Sequence, residues 1–237
     1  DAQGVRHRVW PITNAPAVQA IHQALAEDEI VLADGHHRYE TALAYRDEHR
    51  RAEGDPSSPQ PYDYVLAYIV ALDDPGLCIL PTHRLLGPHP PLDKRAFLAD
   101  LQSEFFLTPY EALPPLQAAM AEARRTAPAL GCALGEEGLW LLRAREPERL
   151  FERLRSHLPP ELLDLDVVLL QRGILMPLLG LSVQDFVHGD RLTYTANAYE
   201  AWQATLSGKA QAAFLLNPTT PMQVWRAATH GVVLPQK

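Results

Sequence analysis

Apolar residues recur along this chain at two spacings, alternating in some stretches and returning every three to four positions in others. Val5, His7 and Val9 alternate with Arg6, Arg8 and Trp10, which predicts a strand over 5–10. Val18, Ile21 and Leu25 share one helical face over 16–27, and Pro16 suits a first turn, where its missing N–H leaves nothing unsatisfied. Ile30-Val31-Leu32-Ala33 is a short apolar run closed by Asp34-Gly35, the pattern of a buried strand ending at a turn. From His36 to Glu48, Tyr39, Ala42, Leu43 and Arg46 return at helical spacing. A loop rich in Pro, Ser, Gly and Asp follows at 53–61. Residues 64–72 and 77–86 predict a hairpin around Asp73-Asp74-Pro75-Gly76, its second strand delivering Thr82-His83-Arg84.

Gly87 to Pro91 is the best internal boundary, dividing the chain into portions 1–88 and 89–237 that can still pack as one unit. Beyond it, helices are expected at 93–105 behind an Asp93 cap, 113–125, 148–158, 164–179, 197–207 and 221–229. Met176-Pro177 marks a kink or a stop. Strands are expected at 129–134 and 139–143, paired as a hairpin, and at 210–216 and 232–234. Helices interleaved with strands in this way predict an α+β or mixed α/β fold.

Composition narrows the class. The 237 residues are 47% apolar and 21% charged, with a formal net charge of -8. That balance suits a globular protein with a proper core and disfavours a nucleic-acid partner, which calls for a basic face. No apolar run is long enough to span a membrane, so no membrane partner is expected. Cys78 and Cys132 each lie in an apolar run and read as buried reduced thiols of a cytoplasmic protein.

Asp34-Gly35-His36-His37-Arg38 gathers an acid, a glycine, two imidazoles and a guanidinium where a helix begins. Cations at that end oppose the helix dipole, so they serve helix stability poorly and an incoming anion well. Four readings compete. The turn is structural, with Asp34 as cap and Gly35 at positive φ. It binds phosphate through the N–H groups after Gly35 with His37 and Arg38, while Asp34 holds a substrate amine or Mg2+. It binds a transition metal, although adjacent histidines at a helix start point apart. Or His36 or His37 acts as a general base. Thr82, His83 and Arg84 at a strand end form a second candidate contact for phosphate or substrate, set against a solvated strand end. Asn217 and Gln236-Lys237 are further strand-end polar groups, whereas Asp164/Asp166 and Glu136/Glu137 read as solvated caps or turn charges.

Ala33 to Leu43 resembles the signature of a bacterial and archaeal family of unknown function often described as ParB-like. The likeness continues through 4–10, 79–85, 208–216 and 234–237, and so spans nearly the whole chain. More distantly, Gly35-His36-His37-Arg38 is similar to the phosphate-binding turn of the ParB/sulfiredoxin superfamily, and Asp-Gly-His-His-Arg is the pattern of its free serine kinase branch. Sulfiredoxin chemistry needs a cysteine where this chain has His36, and is set aside. The resemblance implies a ParB/sulfiredoxin-like core in residues 1–88, followed by an additional α/β portion. Relatives are longer at both ends and carry a Pro-Pro-Tyr-Asp stretch ahead of the first segment, so part of the N-terminal portion is expected to be missing here.

The implied function is a nucleotide-binding protein that uses ATP or ADP, or CTP, with Mg2+. It would act as a kinase on a small amino acid such as free serine. Asp34 and His36 are the implied catalytic residues, and Asp34 the metal ligand. Gly35, His36, His37, Arg38, Thr82, His83 and Arg84 are the implied nucleotide contacts. The glutamate base of the free serine kinases matches no position in this chain. The alternative is a nucleotide-gated regulatory or binding module without phosphotransfer. The sequence sets no oligomeric state.

Overall fold

The computed structural model describes residues 6–188 and 191–235. Its centre is one six-stranded antiparallel sheet in the order β2-β4-β3-β6-β1-β5. The strands are β1 (His83–Leu86), β2 (Phe105–Tyr110), β3 (Ala129–Ala133), β4 (Leu139–Ala144), β5 (Leu192–Thr195) and β6 (Ala212–Leu215). Strand alternation sends successive side chains to opposite faces, and both faces are covered. On one face Phe97, Leu101, Phe105, Leu142, Ile174 and Phe214 share a core with helices α3 (Lys94–Glu104) and α5 (Pro147–Arg155) and the long helix described below. On the other, Leu85, Ala213 and Leu215 pack with α4 (Leu113–Ala123) and α9 (Ala198–Leu206). The protein is therefore mixed α/β, and no described helix is long and apolar enough to cross a membrane.

Local chemistry sets the helix starts. Asn14, Asp93 and Asn197 accept backbone N–H bonds at the heads of α1 (Ala15–Leu25), α3 and α9. Thr220 and Gln223 form a reciprocal capping box at α10 (Pro221–Thr229). The helix expected at 164–179 is a continuous element of three parts: α6 (Asp166–Leu170), a π-helical stretch (Gln171–Leu175) and α7 (Met176–Leu179). Pro177 has no N–H to return to the preceding turn, and the wider π hydrogen bonding lies just ahead of it. Gly180, at φ 62, ends it.

Several expected strands do not form. Residues 6–10, 30–33, 64–72, 77–82 and 232–234 join no ladder, so the expected hairpin over 64–86 is reduced to β1. Alternation prepares a strand, but only a partner's N–H and C=O groups make one, and these runs find none among the described residues. Leu66 and Tyr68 are accordingly 101% and 90% exposed, and none of the residues 6–82 is buried. Val5, with Gly4, Gln236 and Lys237, lies outside the described residues. Two strands went unexpected: β2, an edge strand that accommodates Pro109, and β5, the opposite edge. The helix α8 (Val183–His188) was also unexpected. β1 lies inside the sheet between β5 and β6, so the boundary drawn at residue 88 falls directly after a strand shared with the C-terminal portion.

Candidate functional site

The turn expected to carry chemistry opens α2 (His36–Ala52). Gly35 has φ 83 and ψ 25, the left-handed region that only glycine enters at little cost. A Cβ there would lie 3.0 Å from Arg38 Nη2, because Arg38 folds back across the glycine. No side chain caps the helix. Its first bond is Tyr39 N–H to Gly35 O at 3.0 Å, and the N–H groups of His36, His37 and Arg38 have no hydrogen-bond partner among the described residues.

The side chains around this turn are open to solvent. Arg38 Nη2 lies 3.9 Å from Asp34 Oδ2, and His37 Nδ1 lies 3.6 Å from Glu40 Oε2. Exposed pairs at such distances contribute little to stability, so they leave both side chains available to a ligand. Thr41 Oγ1 donates to His37 O at 2.7 Å, holding the first turn in helical form. The α2 helix is anchored at its far end instead. Arg50 donates from Nε and Nη2 to the two oxygens of Asp63, both at 2.8 Å, and from Nη1 to Asp55 at 2.8 Å. This fork raises the Arg50 pKa and holds the Asp63 carboxyl below the usual range.

Thr82, His83 and Arg84 occupy a different environment. His83 and Arg84 are 2% and 4% exposed, so the second expected cluster is under cover, not a solvated strand end. His83 Nδ1 accepts from Leu216 N–H at 3.1 Å, just beyond the last β1–β6 register pair, Arg84 with Phe214. The ring thereby extends the strand seam with a side chain, which requires an unprotonated Nδ1. Burial, with the neighbouring Arg84 charge, pushes the His83 pKa down to about 4. Arg84 Nη1 donates to Thr82 O, and its guanidinium lies 5.5 Å from the Tyr194 ring centroid. Its Nε is buried without a partner. Burial lowers the Arg84 pKa to about 10, with Tyr194 acting weakly the other way.

The two clusters are not joined by a hydrogen bond or ion pair from His36, His37 or Arg38 to Thr82, His83 or Arg84 among the described residues. Also among them, no group of three His, Cys, Asp or Glu side chains is placed to hold a metal ion. Two open hollows, of about 390 and 440 Å3, are lined elsewhere. The first is lined by Leu80, Leu113, Gln117 and the start of α9, the second by Arg124, Arg125, Asp164, Thr220, Gln223 and Arg226.

Beside the second hollow lies a polar network that the sequence did not disclose. Asp166 Oδ2 accepts from Asn217 N–H at 2.8 Å and from Asn217 Nδ2 at 2.9 Å. Burial raises the Asp166 pKa against those bonds. Asp164 pairs with Arg226 at 2.6 Å, and Arg124 donates to Pro218 O and Gln223 Oε1. Asp166 is thus a structural anchor rather than a solvated cap, with Asn217 after β6 its signal in the sequence, whereas Asp164 is exposed and pairs with Arg226 at the surface. Cys78 is exposed, not buried, because its run joins no sheet, whereas Cys132 is buried in β3.

An antiparallel sheet covered on both faces, preceded by an uncapped helix, defines a mixed α/β class of protein. The family described as "Protein of unknown function (DUF1015)" matches residues 1–168, and the chain belongs to that family. No curated protein and no solved structure matches it.

Proposed function

We propose that this protein binds a nucleotide with Mg2+ at the Asp34–Arg38 turn. The carrying observation is the uncapped start of α2, where three successive N–H groups, at His36, His37 and Arg38, lack partners among the described residues. The positive end of a 17-residue helix meets a guanidinium and two imidazoles there. A Cβ at Gly35 would crowd the Arg38 guanidinium, so the glycine is what lets Arg38 fold over the turn where a phosphate would sit. Asp34 is the carboxylate at the turn that would hold Mg2+, with phosphate oxygens as the remaining ligands. When bound, the metal supplies charge neutralisation on the phosphates. Arg38 adds positive charge and His37 an imidazole donor at the same place, and the backbone N–H groups fix the orientation.

The finer reading is phosphoryl transfer from ATP, ADP or CTP to a small amino acid such as serine. It rests on the likeness of Asp34–Arg38 to the free serine kinase branch of the ParB/sulfiredoxin superfamily. His36 and Asp34 are the groups at the turn able to accept the acceptor's proton. A nucleotide-gated switch would bind at the same turn without phosphotransfer, holding or slowly hydrolysing nucleotide with no acceptor present.

Calorimetric titration of ATP, ADP and CTP with Mg2+ tests the site on the wild type, Arg38→Ala and Arg38→Lys. Losing a hydrogen-bonded guanidinium costs about 1.5–3 kcal/mol, roughly ten- to a hundredfold in affinity. Lysine should restore part of it, since it keeps the charge and loses the fork. Melting temperature should stay nearly unchanged, as Arg38 is exposed and its ion pair long. Equal affinity in all three proteins would remove the turn from nucleotide binding.

A further inference from the structure

The sheet contains a charge that no described residue balances. Arg84 lies in β1, one strand in from the β5 edge, with only 4% of the residue exposed. Nη1 makes the guanidinium's one hydrogen bond among the described residues, to the backbone oxygen of Thr82, and Nε is buried without a partner. Among the described residues no carboxylate pairs with it, and the one ionisable side chain acting in its favour is the Tyr194 phenol. The ring face offers a cation–π contact. Burying an ion costs more, even after relaxation, than such a contact returns. The ring and one carbonyl therefore do not offset the burial, and an anion would.

We propose that Arg84 is the base of an anion subsite at the β1–β5 edge that takes a single carboxylate. The class follows from charge matching. Neighbouring His83 gives its Nδ1 to the Leu216 N–H and is neutral in that arrangement, and among the described residues no second cation acts on Arg84, so the setting carries one positive charge. One buried cation matches one carboxylate. A doubly charged phosphate would leave a second negative charge in the same low-dielectric setting, whereas the α2 turn gathers several cationic groups and backbone donors for that purpose. The ligand reaches Arg84 from the edge strand, where Tyr194 is 38% exposed and its hydroxyl donates to Phe186 O at 3.2 Å. The subsite rests on the sheet alone and stands whether or not the α2 turn holds a nucleotide.

The test uses acetate and inorganic phosphate as probes, at matched ionic strength against chloride, on the wild type, Arg84→Met and Arg84→Lys. Thermal melts and the 15N resonance of the Arg84 Nε–H are read together. Acetate should raise the wild-type melting temperature and shift that resonance, saturating with a Kd on the order of 1 mM. It should leave Arg84→Met unmoved and act only partly on Arg84→Lys. In chloride, Arg84→Met should melt at or above the wild type, because an apolar side chain replaces an uncompensated charge. An acetate response equal in wild type and Arg84→Met overturns the subsite. So does Arg84→Met melting well below a wild type that ignores acetate, which would make Arg84 structural. A phosphate response exceeding that of acetate and lost in Arg84→Met overturns the single-carboxylate class. Nucleotide titration of Arg84→Met reads the α2 turn separately, so failure there leaves this result standing.

Discussion

The buried imidazole of His83 should make this protein measurably less stable as pH falls from neutral toward 4. An unfolded histidine titrates near 6.5, and burial beside Arg84 takes the folded value to about 4. The folded pKa is the lower of the two, so between them the unfolded chain binds more protons and stability rises with pH. Above 6.5 both states are neutral and nothing is lost. By pH 5 about 2 kcal/mol should be gone, and below 4 the full shift amounts to about 3 kcal/mol. The perturbation is His83→Asn, whose side-chain oxygen can take the Leu216 N–H where Nδ1 does, yet cannot titrate. Asp166, raised by burial, pulls the opposite way in acid, so the difference between the two proteins at each pH is the quantity to read. Urea denaturation followed by fluorescence of Trp140 and Trp202 at pH 7, 6 and 5 provides it. The variant should start less stable at pH 7, through its smaller volume, and overtake or approach the wild type by pH 5. Two curves that run parallel from pH 7 to 5 would refute a neutral, buried His83.

The C-terminal two thirds of the fold was legible because its elements carry their own instructions. Asp93, Asn197 and the Thr220–Gln223 pair announce helices through backbone bonds made within three residues. The 129–144 hairpin is written in two apolar runs around Gly135 and Gly138, both at positive φ. The N-terminal runs have the same alternation, but a strand is a relation between two segments, and one segment's pattern cannot show whether its partner is present. Tyr64 to Leu72 is as apolar as β3 and yet stays exposed for want of a ladder. At the candidate site, the positive φ of Gly35 followed from local residues. The burial of His83 and Arg84 depended on β5 and β6, about 110 to 130 residues away in sequence, of which β5 has no strong strand pattern. Polar residues at a strand end look alike whether they meet solvent or a neighbouring strand.

The same reasoning gives further expectations. Gly131→Ala should cost about 1–3 kcal/mol in urea denaturation, because the new Cβ would lie 2.7 Å from Met120 Sδ and 2.9 Å from Leu215 Cβ, deep in the sheet. Native protein should titrate one thiol, exposed Cys78, and a second only on denaturation, since burial pushes the Cys132 pKa up to about 12. The Asp166–Asn217 contact predicts coupling. Asn217→Ala removes the 2.9 Å side-chain bond to a carboxylate and should cost about 1.5–3 kcal/mol, while the Asn217 N–H bond to the same oxygen survives. In an Asp166→Ala background that cost should largely vanish, because the amide then has only the Ala129 carbonyl left to serve, at 3.3 Å. Asp166→Ala alone should be the more damaging single change, since it strands two donors where Asn217→Ala strands part of one acceptor. A double-mutant cycle by urea denaturation at pH 7 measures the difference. Costs that simply add would mean that Asp166 and Asn217 do not hold each other, and that burial of the carboxylate is offset elsewhere.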